Sequence, residues 1–361
     1  MGEPFPVTHL GQAPLLKLLL NSFLHNRLLI DLKLILSAYW LDDFTKTCIS
    51  TFEEVRIHSI FFFWNKTPIS SNSPKPMMST KDIYPLHMTY LPDFIKEKSE
   101  EELNETPERK VTGLQELKEI LQNDKVMKGI QFHDDFLTQF LRKNKYDTFR
   151  SLKNLQNYVL FRRKYSSKFE GVTDEDLSAI LPDKFYVLLP NRCPEGCAVL
   201  IVKVGNWNPT EFSFENLEKS IFFLNMQILR DPMIQICGMK IIYDCKGSSF
   251  QQLRYVTPYN TYMYYHSMLN CLAGRYKGLH IINDSIVMKT MFTLLKSLMT
   301  KKLRSRVHFH SCVEDLLDFF PQSILPIEYG GELINCESED WLINANKEQA
   351  KCTIEGQSNL Y

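Results

Sequence analysis

The sequence predicts an α/β domain with a mainly parallel sheet, preceded by a small helical module. Beyond about residue 183, short apolar runs alternate with helical patterns, which is typical of parallel strands joined by helical crossovers. Between residues 78 and 168, apolar side chains recur at helical spacing instead. Before residue 77 the composition differs from that of the rest of the chain.

These changes divide the chain into four regions. We predict an atypical N-terminal extension over 1–77, a helical module over 78–168, the α/β domain over 175–335 and a polar tail over 336–361. A Ser/Asn/Pro-rich piece precedes the pair Met77-Met78 and marks the first boundary. The extension is either an appendage absent from the main product or an extra pair of helices packed on the body.

Apolar stripes support the prediction of the helical module. Leu117 and Leu121 share one helical face, and residues 132–141 carry a wider stripe. Asp147 or Thr148 can cap a further helix. Short polar joints between these pieces predict an orthogonal bundle of small helices.

The α/β domain is predicted to contain five strands, at 185–189, 199–204, 239–244, 279–283 and 307–309. Helices are predicted over 214–229, 258–272 and 285–304. Thr257 and Pro258 supply an N-cap and first-turn pair for the second of these helices. Ser311 and Glu314 are expected to form a capping box for the last helix of the domain.

Charge and cysteine usage limit the function classes. The chain has 42 basic and 42 acidic residues, so it lacks the basic excess that broad nucleic-acid binding requires. Its nine cysteines are scattered through apolar stretches, which indicates reduced thiols of a cytosolic protein. No segment reaches the roughly 18 uncharged apolar residues of a membrane span.

Catalytic and metal-binding motifs are absent from the sequence. It contains neither a Gly-rich phosphate loop nor a Gly-x-Ser-x-Gly elbow, and no carboxylate pair stands out. Cys193 and Cys197 have no second pair to complete a zinc site. His308 and His310 alternate on one strand and are interpreted as structural. We therefore expect no metal, no cofactor and no enzymatic activity, with an unfamiliar enzyme as the remaining alternative.

Several ordered motifs resemble the CRAL-TRIO family. Residues 136–165 resemble the helical module of that family. The stretch Gly238-Met-Lys-Ile-Ile-Tyr-Asp244, then residues 277–283 and 306–310, leads to the ending Leu-Pro-Ile-Glu-Tyr-Gly-Gly at 325–331. The resemblance covers roughly residues 80–335. Within the family the chain is similar to the branch of the α-tocopherol transfer protein, clavesins and retinaldehyde-binding protein.

The resemblance implies a lipid pocket between the sheet and a movable helical gate. Residues matching the family's pocket wall are Ile221, Asn225, Met239, Tyr243, Tyr264, Met268, Leu272 and Leu279. In the tocopherol carrier, small hydroxyl residues stand where Ile221 and Asn225 stand here, which argues against tocopherol itself.

The gate is predicted within residues 285–304. Its apolar residues cover more than one helical face, as expected of a segment with two apolar neighbours. The residues that we assign to the gate are Ile286, Met291, Phe292 and Leu295. Plain burial in the core is the alternative. Ser285 and Ser297 replace two prolines usual in this region of the family, so gate flexibility is expected to differ.

The resemblance also implies a phosphoinositide site beside the gate. Its basic residues match Arg275, Lys277, Lys302 and Arg306. A fifth basic position is occupied by Asn144, and the flanking Lys143 and Lys145 are candidates to replace it. Lys302 and Arg306 are expected to share one helical face. The alternative is a solvated helix end that interacts with the helix dipole.

The function that these expectations describe is physical rather than chemical. The chain is expected to bind and transfer a small hydrophobic ligand, which is tocopherol-, retinoid- or phospholipid-like. Phosphatidylinositol bisphosphate at the gate would promote membrane docking and ligand release. The expected location is the cytoplasm, with transient visits to endosomal or other phosphoinositide-bearing membranes. The alternative is a phosphoinositide-binding trafficking adaptor without an exchanged cargo.

Overall fold

The structure is a computed structural model that describes residues 84–86, 88, 90–165, 185–284 and 299–334. These residues carry most of the helical module and the α/β domain. The predicted extension, the polar tail and the four assigned gate residues lie outside the described residues. The predictions made for them, and the predicted region boundaries, stay predictions.

In the described part of the chain, seven strands form two sheets. The strands are β1 (Tyr84–Pro85), β2 (Tyr186–Leu188), β3 (Asn191–Arg192), β4 (Ala198–Lys203), β5 (Met239–Asp244), β6 (Tyr276–Ile282) and β7 (Val307–Phe309). The main sheet has the order β2–β4–β5–β6–β7, in which β2 is antiparallel to β4 and the other neighbours are parallel. A small ribbon pairs β1 with β3. The predicted mixed, mainly parallel sheet is confirmed.

Nine α-helices are present among the described residues. They are α1 (Asp93–Leu103), α2 (Pro107–Asn123), α3 (Asp134–Lys143), α4 (Thr148–Lys164), α5 (Phe214–Ile228), α6 (Pro232–Cys237), α7 (Phe250–Leu253), α8 (Pro258–His266) and α9 (Lys301–Arg304). Asp147 accepts from the backbone N–H of Arg150 and caps α4, and Thr257 accepts from that of Asn260 and caps α8. A π turn, Ser267–Cys271, continues α8.

Two local predictions are wrong. The predicted helix over 285–304 is not continuous, because Thr300 is extended and its hydroxyl caps the separate helix α9. The predicted capping box of Ser311 and Glu314 is also displaced. The carboxylate of Asp315 accepts from the backbone N–H of Cys312, 3.3 Å away, and the segment is a 3₁₀ helix, Val313–Asp318.

The main sheet has two buried faces. Met239, Ile241 and Tyr243 of β5 point to what we call the front face, which packs against α4, α5 and α8. Ile242 points to the opposite, back face, which is covered by α1, α6 and the C-terminal 3₁₀ segments. Burial on both sides explains why β4 and β5 read as continuous Val/Ile-rich runs.

A buried ionic network joins the helical module to the α/β domain. Arg142 of α3 donates two hydrogen bonds to the carboxylate of Glu105, at 2.8 and 2.9 Å. Its third donor reaches the side-chain oxygen of Gln235 in α6. The Glu105 side chain is fully buried and is also within 3.3 Å of the ammonium of Lys110. The guanidinium therefore satisfies acceptors from both parts of the structure.

A second link holds the end of α8. The ammonium of Lys143 donates to the backbone oxygens of Leu269 and Leu272, each at 2.6 Å. The amide of Asn154 in α4 donates to the backbone oxygen of Asn270 at 3.1 Å. These bonds supply partners for carbonyls that a helix end leaves unsatisfied.

The ending 325–331 closes the back face of the sheet. The hydroxyl of Tyr329 donates to the carboxylate of Asp244 at 2.9 Å, which ties the motif to the end of β5. Gly330 has φ +77°, a conformation that favours glycine. A Cβ atom on Gly331 would lie 1.9 Å from the backbone oxygen of Leu325. The motif is therefore structural in this protein.

Three histidines stack on the back face. Nδ1 of His280 lies 3.0 Å from Nε2 of His310, and the ring of His308 stacks on that of His280. Phe319 and Phe320 contact His280 edge-on. This apolar enclosure supports the structural interpretation of His308 and His310.

The histidine stack predicts a loss of stability in acid. Burial, with His308, His310 and Lys240 nearby, lowers the pKa of His280 from 6.5 to about 2. Below pH 6.5, His280 is therefore protonated in the unfolded chain but stays neutral in the folded chain. Between those values, the unfolding free energy should fall by up to about 1.4 kcal/mol per pH unit for this histidine.

Urea denaturation from pH 7.5 to 4.5 checks this prediction. In His280→Phe, the unfolding free energy should depend less steeply on pH below 6.5 than in the parent chain. His133→Phe, at an exposed position, is the control and should leave the slope unchanged. Equal slopes in the parent and His280→Phe would contradict the assignment.

Candidate functional site

The eight predicted wall residues lie around the front face. Ile221 and Asn225 come from α5, Met239 and Tyr243 from β5, and Leu279 from β6. The other three, Tyr264, Met268 and Leu272, come from α8, the π turn and the residue after it. Seven of the eight belong to one continuous apolar cluster, and Asn225 is a buried polar residue beside them.

A small cavity lies beside part of this wall. Ile221, Tyr264 and Met268 line it, together with residues from α4 and α5 that the sequence did not indicate, including Phe161 and Phe222. The cavity measures about 30 Å³, against roughly 300–1,000 Å³ for typical ligand pockets. A lipid-sized ligand at this cavity would therefore require the surrounding side chains to move apart.

Four tyrosine side chains lie on the front face. The hydroxyls of Tyr243 and Tyr264 lie 3.0 Å apart. Tyr186 and Tyr276, which the sequence did not indicate, are buried. Burial is the main cause that raises the pKa of all four, and their mutual influence adds to it for Tyr186, Tyr243 and Tyr276. All four therefore stay protonated and act as neutral hydrogen-bonding groups.

A group of basic side chains lies at the edge of the sheet where β6 and β7 begin. We call Lys145, Arg275, Lys277, Lys302 and Arg306 the basic cluster. The positive charges of the other four, with Arg306 the strongest, help to lower the pKa of Lys302. The structure thus brings the four predicted cations together and adds Lys145 to them.

The members of the basic cluster differ in their partners. Arg275 and Lys277 bind the carboxylate of Glu102, at 3.3 and 2.9 Å. Arg306 donates to the backbone oxygen of Tyr276 at 2.5 Å. Lys145 and Lys302 are exposed to solvent. An anionic partner at this edge would therefore meet these two ammonium groups directly.

Two details of the predicted basic site are wrong. Lys143 does not replace the missing cation at Asn144, because its ammonium is buried and bonded to carbonyls after α8. Burial lowers its pKa to about 8. Lys302 and Arg306 do not share a helical face, since α9 ends at Arg304 and Arg306 leads into β7.

The α/β domain matches a known protein family. The sequence model of the CRAL/TRIO domain matches residues 183–331, which span the main sheet, the front-face wall and the closing motif. This part of the chain is a CRAL/TRIO domain. The predicted fold and family are confirmed, and the family is one of proteins that bind lipids and other hydrophobic ligands and are generally non-enzymatic.

Two proteins are similar to this chain over most of their length. Alpha-tocopherol transfer protein-like of Homo sapiens is 27% identical over 258 residues, which cover 71% of this chain and 75% of the relative. Clavesin-1 of Rattus norvegicus is 27% identical over 277 residues, covering 74% and 78%. A solved structure described as "Crystal structure of Sfh5" is similar over 73% of this chain and 100% of that chain. Its TM-score is 0.43 and its sequence identity is 14%.

A group of potential metal ligands lies in the turn between β3 and β4. Cys193, Glu195 and Cys197 bring three possible ligand atoms within 4.8 Å of one another. The ammonium of Lys240 lies 3.1 Å from the Glu195 carboxylate and neutralises it, and a structural zinc ion requires four ligands.

The described helices include no candidate for a membrane span, because none combines the necessary length with sufficient apolar character.

Proposed function

We propose that this CRAL/TRIO protein binds one hydrophobic ligand at the front face and exchanges it at phosphoinositide-bearing membranes. One observation carries the proposal: the basic cluster lies at the edge of the same sheet whose front face forms the apolar wall. Cations that face an anionic membrane would therefore hold the sheet edge beside the wall against lipid.

The basic cluster is suited to reversible docking. Two of its five cations, Arg275 and Lys277, bind the carboxylate of Glu102. Each cation near an anionic leaflet contributes about 1 kcal/mol, and a phosphoinositide headgroup concentrates that charge at one point. The excess of positive charge is thus enough for transient membrane binding and too small for permanent anchoring.

The ligand step follows from burial of apolar surface. Enclosing a lipid gains roughly 25 cal/mol for each Å² removed from water, so escape into water is slow. At a membrane the ligand has a second apolar phase to enter. If docking favours an open form, with the predicted gate displaced, phosphoinositide binding shifts the population toward release.

The free cysteines support the expected compartment. Cys193, Cys197, Cys237, Cys245 and Cys271 are buried and unpaired in disulfides. Such thiols are typical of a reducing compartment. These thiols support a cytoplasmic location, and we propose transient binding to endosomal or other phosphoinositide-bearing membranes.

Charge reversal at the two exposed cations tests docking. Lys145→Glu/Lys302→Glu removes about 2 kcal/mol of attraction and adds the repulsion of two carboxylates, so binding to vesicles with phosphatidylinositol bisphosphate should weaken by at least about thirtyfold. Transfer of retinol between those vesicles, followed by its fluorescence, should slow in parallel. Retinol bound per chain should not change.

The control reverses two charges at the opposite end of the strands, after the carboxyl end of β5. Lys246→Glu/Arg254→Glu changes exposed residues that follow the end of β5 and should leave vesicle binding intact. Unchanged docking in the first variant, or equal losses in both, would count against the basic cluster as the membrane site.

The small cavity favours a second candidate, a phosphoinositide-binding adaptor without exchanged cargo. Native mass spectrometry of the purified chain separates the two functions. A lipid retained at about one per chain supports transfer. A chain that docks on phosphoinositide vesicles but takes up no lipid supports the adaptor.

A further inference from the structure

An exposed serine lies within the stretch that carries two members of the basic cluster. Ser305 follows the end of α9 and stands between Lys302 and Arg306. The residue is exposed, and its hydroxyl donates to the backbone oxygen of Lys302 at 2.9 Å. A negative charge attached to this hydroxyl oxygen would therefore lie beside cations that we assign to the membrane.

The sequence around Ser305 is strongly basic. Lys301, Lys302 and Arg304 stand four, three and one positions before it, and Arg306 follows it directly. No acidic residue occurs between positions 300 and 310. Protein kinases choose substrates partly by charge pattern, and a kinase with an acidic substrate groove selects serines that follow basic residues. The surroundings of Ser305 therefore match the chemistry that such a kinase recognises.

The segment can enter the groove of an enzyme without disturbing the core. The helix α9 is a single turn, and none of its residues is buried. The backbone N–H of Arg304 donates to the oxygen of Thr300, and that of Ser305 donates to the oxygen of Lys301. A helix this short has little stability of its own, so opening the turn costs little.

A phosphate on Ser305 would oppose the basic cluster at close range. It carries a charge of about −2 at neutral pH and three strong acceptor oxygens. Lys302 and Arg306 stand on either side of the serine, and the positive charges of the rest of the cluster also act on Lys302. The phosphate would thus bind cations within the protein and repel an anionic leaflet.

We propose that Ser305 is a phosphorylation site for a protein kinase that selects basic sequences, and that its phosphate turns off membrane docking by the basic cluster. This inference rests on the proposed function and adds a regulation to it. In the reaction, the γ-phosphoryl group of ATP moves to Oγ of Ser305. The Oγ–P bond forms, the bond to ADP breaks, and the hydroxyl proton passes to the base of the kinase.

Treatment of the full chain with a kinase tests the site and its effect together. The chain is incubated with the catalytic subunit of cAMP-dependent protein kinase, magnesium and ATP, and the modified residue is located by mass spectrometry of its peptides. Phosphate should be found on Ser305. Binding of the modified chain to vesicles with phosphatidylinositol bisphosphate should weaken about thirtyfold, because the phosphate offsets two cations.

Three variants separate the charge at Ser305 from other effects. Ser305→Ala treated with the same kinase should bind the vesicles as the untreated parent chain does. Ser305→Glu adds a single negative charge and should weaken binding about fivefold without any kinase. Ser311→Glu places the same charge on an exposed serine beyond the opposite end of β7 and should leave binding unchanged.

Failure of this inference can be told apart from failure of the proposed function. Absence of phosphate from Ser305, or complete modification without weaker docking, overturns the inference while the membrane site stands. An equal loss of docking in treated Ser305→Ala, or in Ser311→Glu and Ser305→Glu alike, also overturns it. An untreated parent chain that does not bind the vesicles overturns the proposed function as well.

Discussion

Replacing Arg142 by methionine is expected to lower the free energy of unfolding by about 3–5 kcal/mol. The substitution leaves the carboxylate of Glu105 buried, with the half-exposed Lys110 as its remaining ion-pair partner among the described residues. It also removes the donor to Gln235, which joins the helical module to α6. Chemical denaturation followed by circular dichroism measures the loss.

A double variant distinguishes the lost bonds from the stranded charge. Arg142→Met/Glu105→Leu removes both ions, and it should recover most of the stability because an apolar pair of similar volume has no charge to desolvate. Arg150→Met is the exposed control. Its pair with Asp147 lies at the surface, so the loss should stay below about 1 kcal/mol. A double variant as unstable as Arg142→Met would show that the stranded carboxylate is not the cause.

Two neighbouring glycines should respond very differently to alanine. Gly331→Ala places a Cβ atom 1.9 Å from the backbone oxygen of Leu325, and backbone cannot yield as a side chain can. We expect a loss at or above the top of the roughly 1–3 kcal/mol range of overpacked sites. Because the motif holds Tyr329 against Asp244, the end of β5 should also loosen.

Gly330→Ala is the matched comparison. Its Cβ would meet only Leu317, at an ordinary 3.8 Å, and the cost comes from the left-handed backbone alone. That cost is about 1–2 kcal/mol. Thermal denaturation of the two variants should therefore rank Gly331→Ala well below Gly330→Ala. The opposite order would mean that the closing turn can shift to relieve the contact.

The predictable part of the fold was the part set by local pattern. β5 and β7 coincide with their predicted ranges because most of their residues are apolar, with Ile241 and Ile242 in the middle of β5 and Val307 and Phe309 at the ends of β7. β6 begins at Tyr276, three residues earlier than predicted, since Tyr276 pairs with Met239 across an irregularity in the sheet. The interruption at Thr300 was also hidden, because the apolar pattern continues up to it.

The site was predictable where the resemblance supplied positions. The four cations of the predicted basic site do meet, and the wall residues do share the front face. The resemblance could not show that Glu102, from α1, binds two of those cations. Nor could it show that the side chains of Tyr186 and Tyr276 are buried on the front face, because burial is a property of the packed interior.

The bonds from Lys143 and Asn154 to the carbonyls after α8 make the α/β domain depend on the helical module. The matched family region begins at residue 183, yet the last turn of a helix in its pocket wall is completed by side chains from α3 and α4. A fragment cut at that boundary would expose those carbonyls and the apolar surface beneath them. The region that matches the family is thus smaller than the part of this chain that completes the end of α8 and the wall beside it.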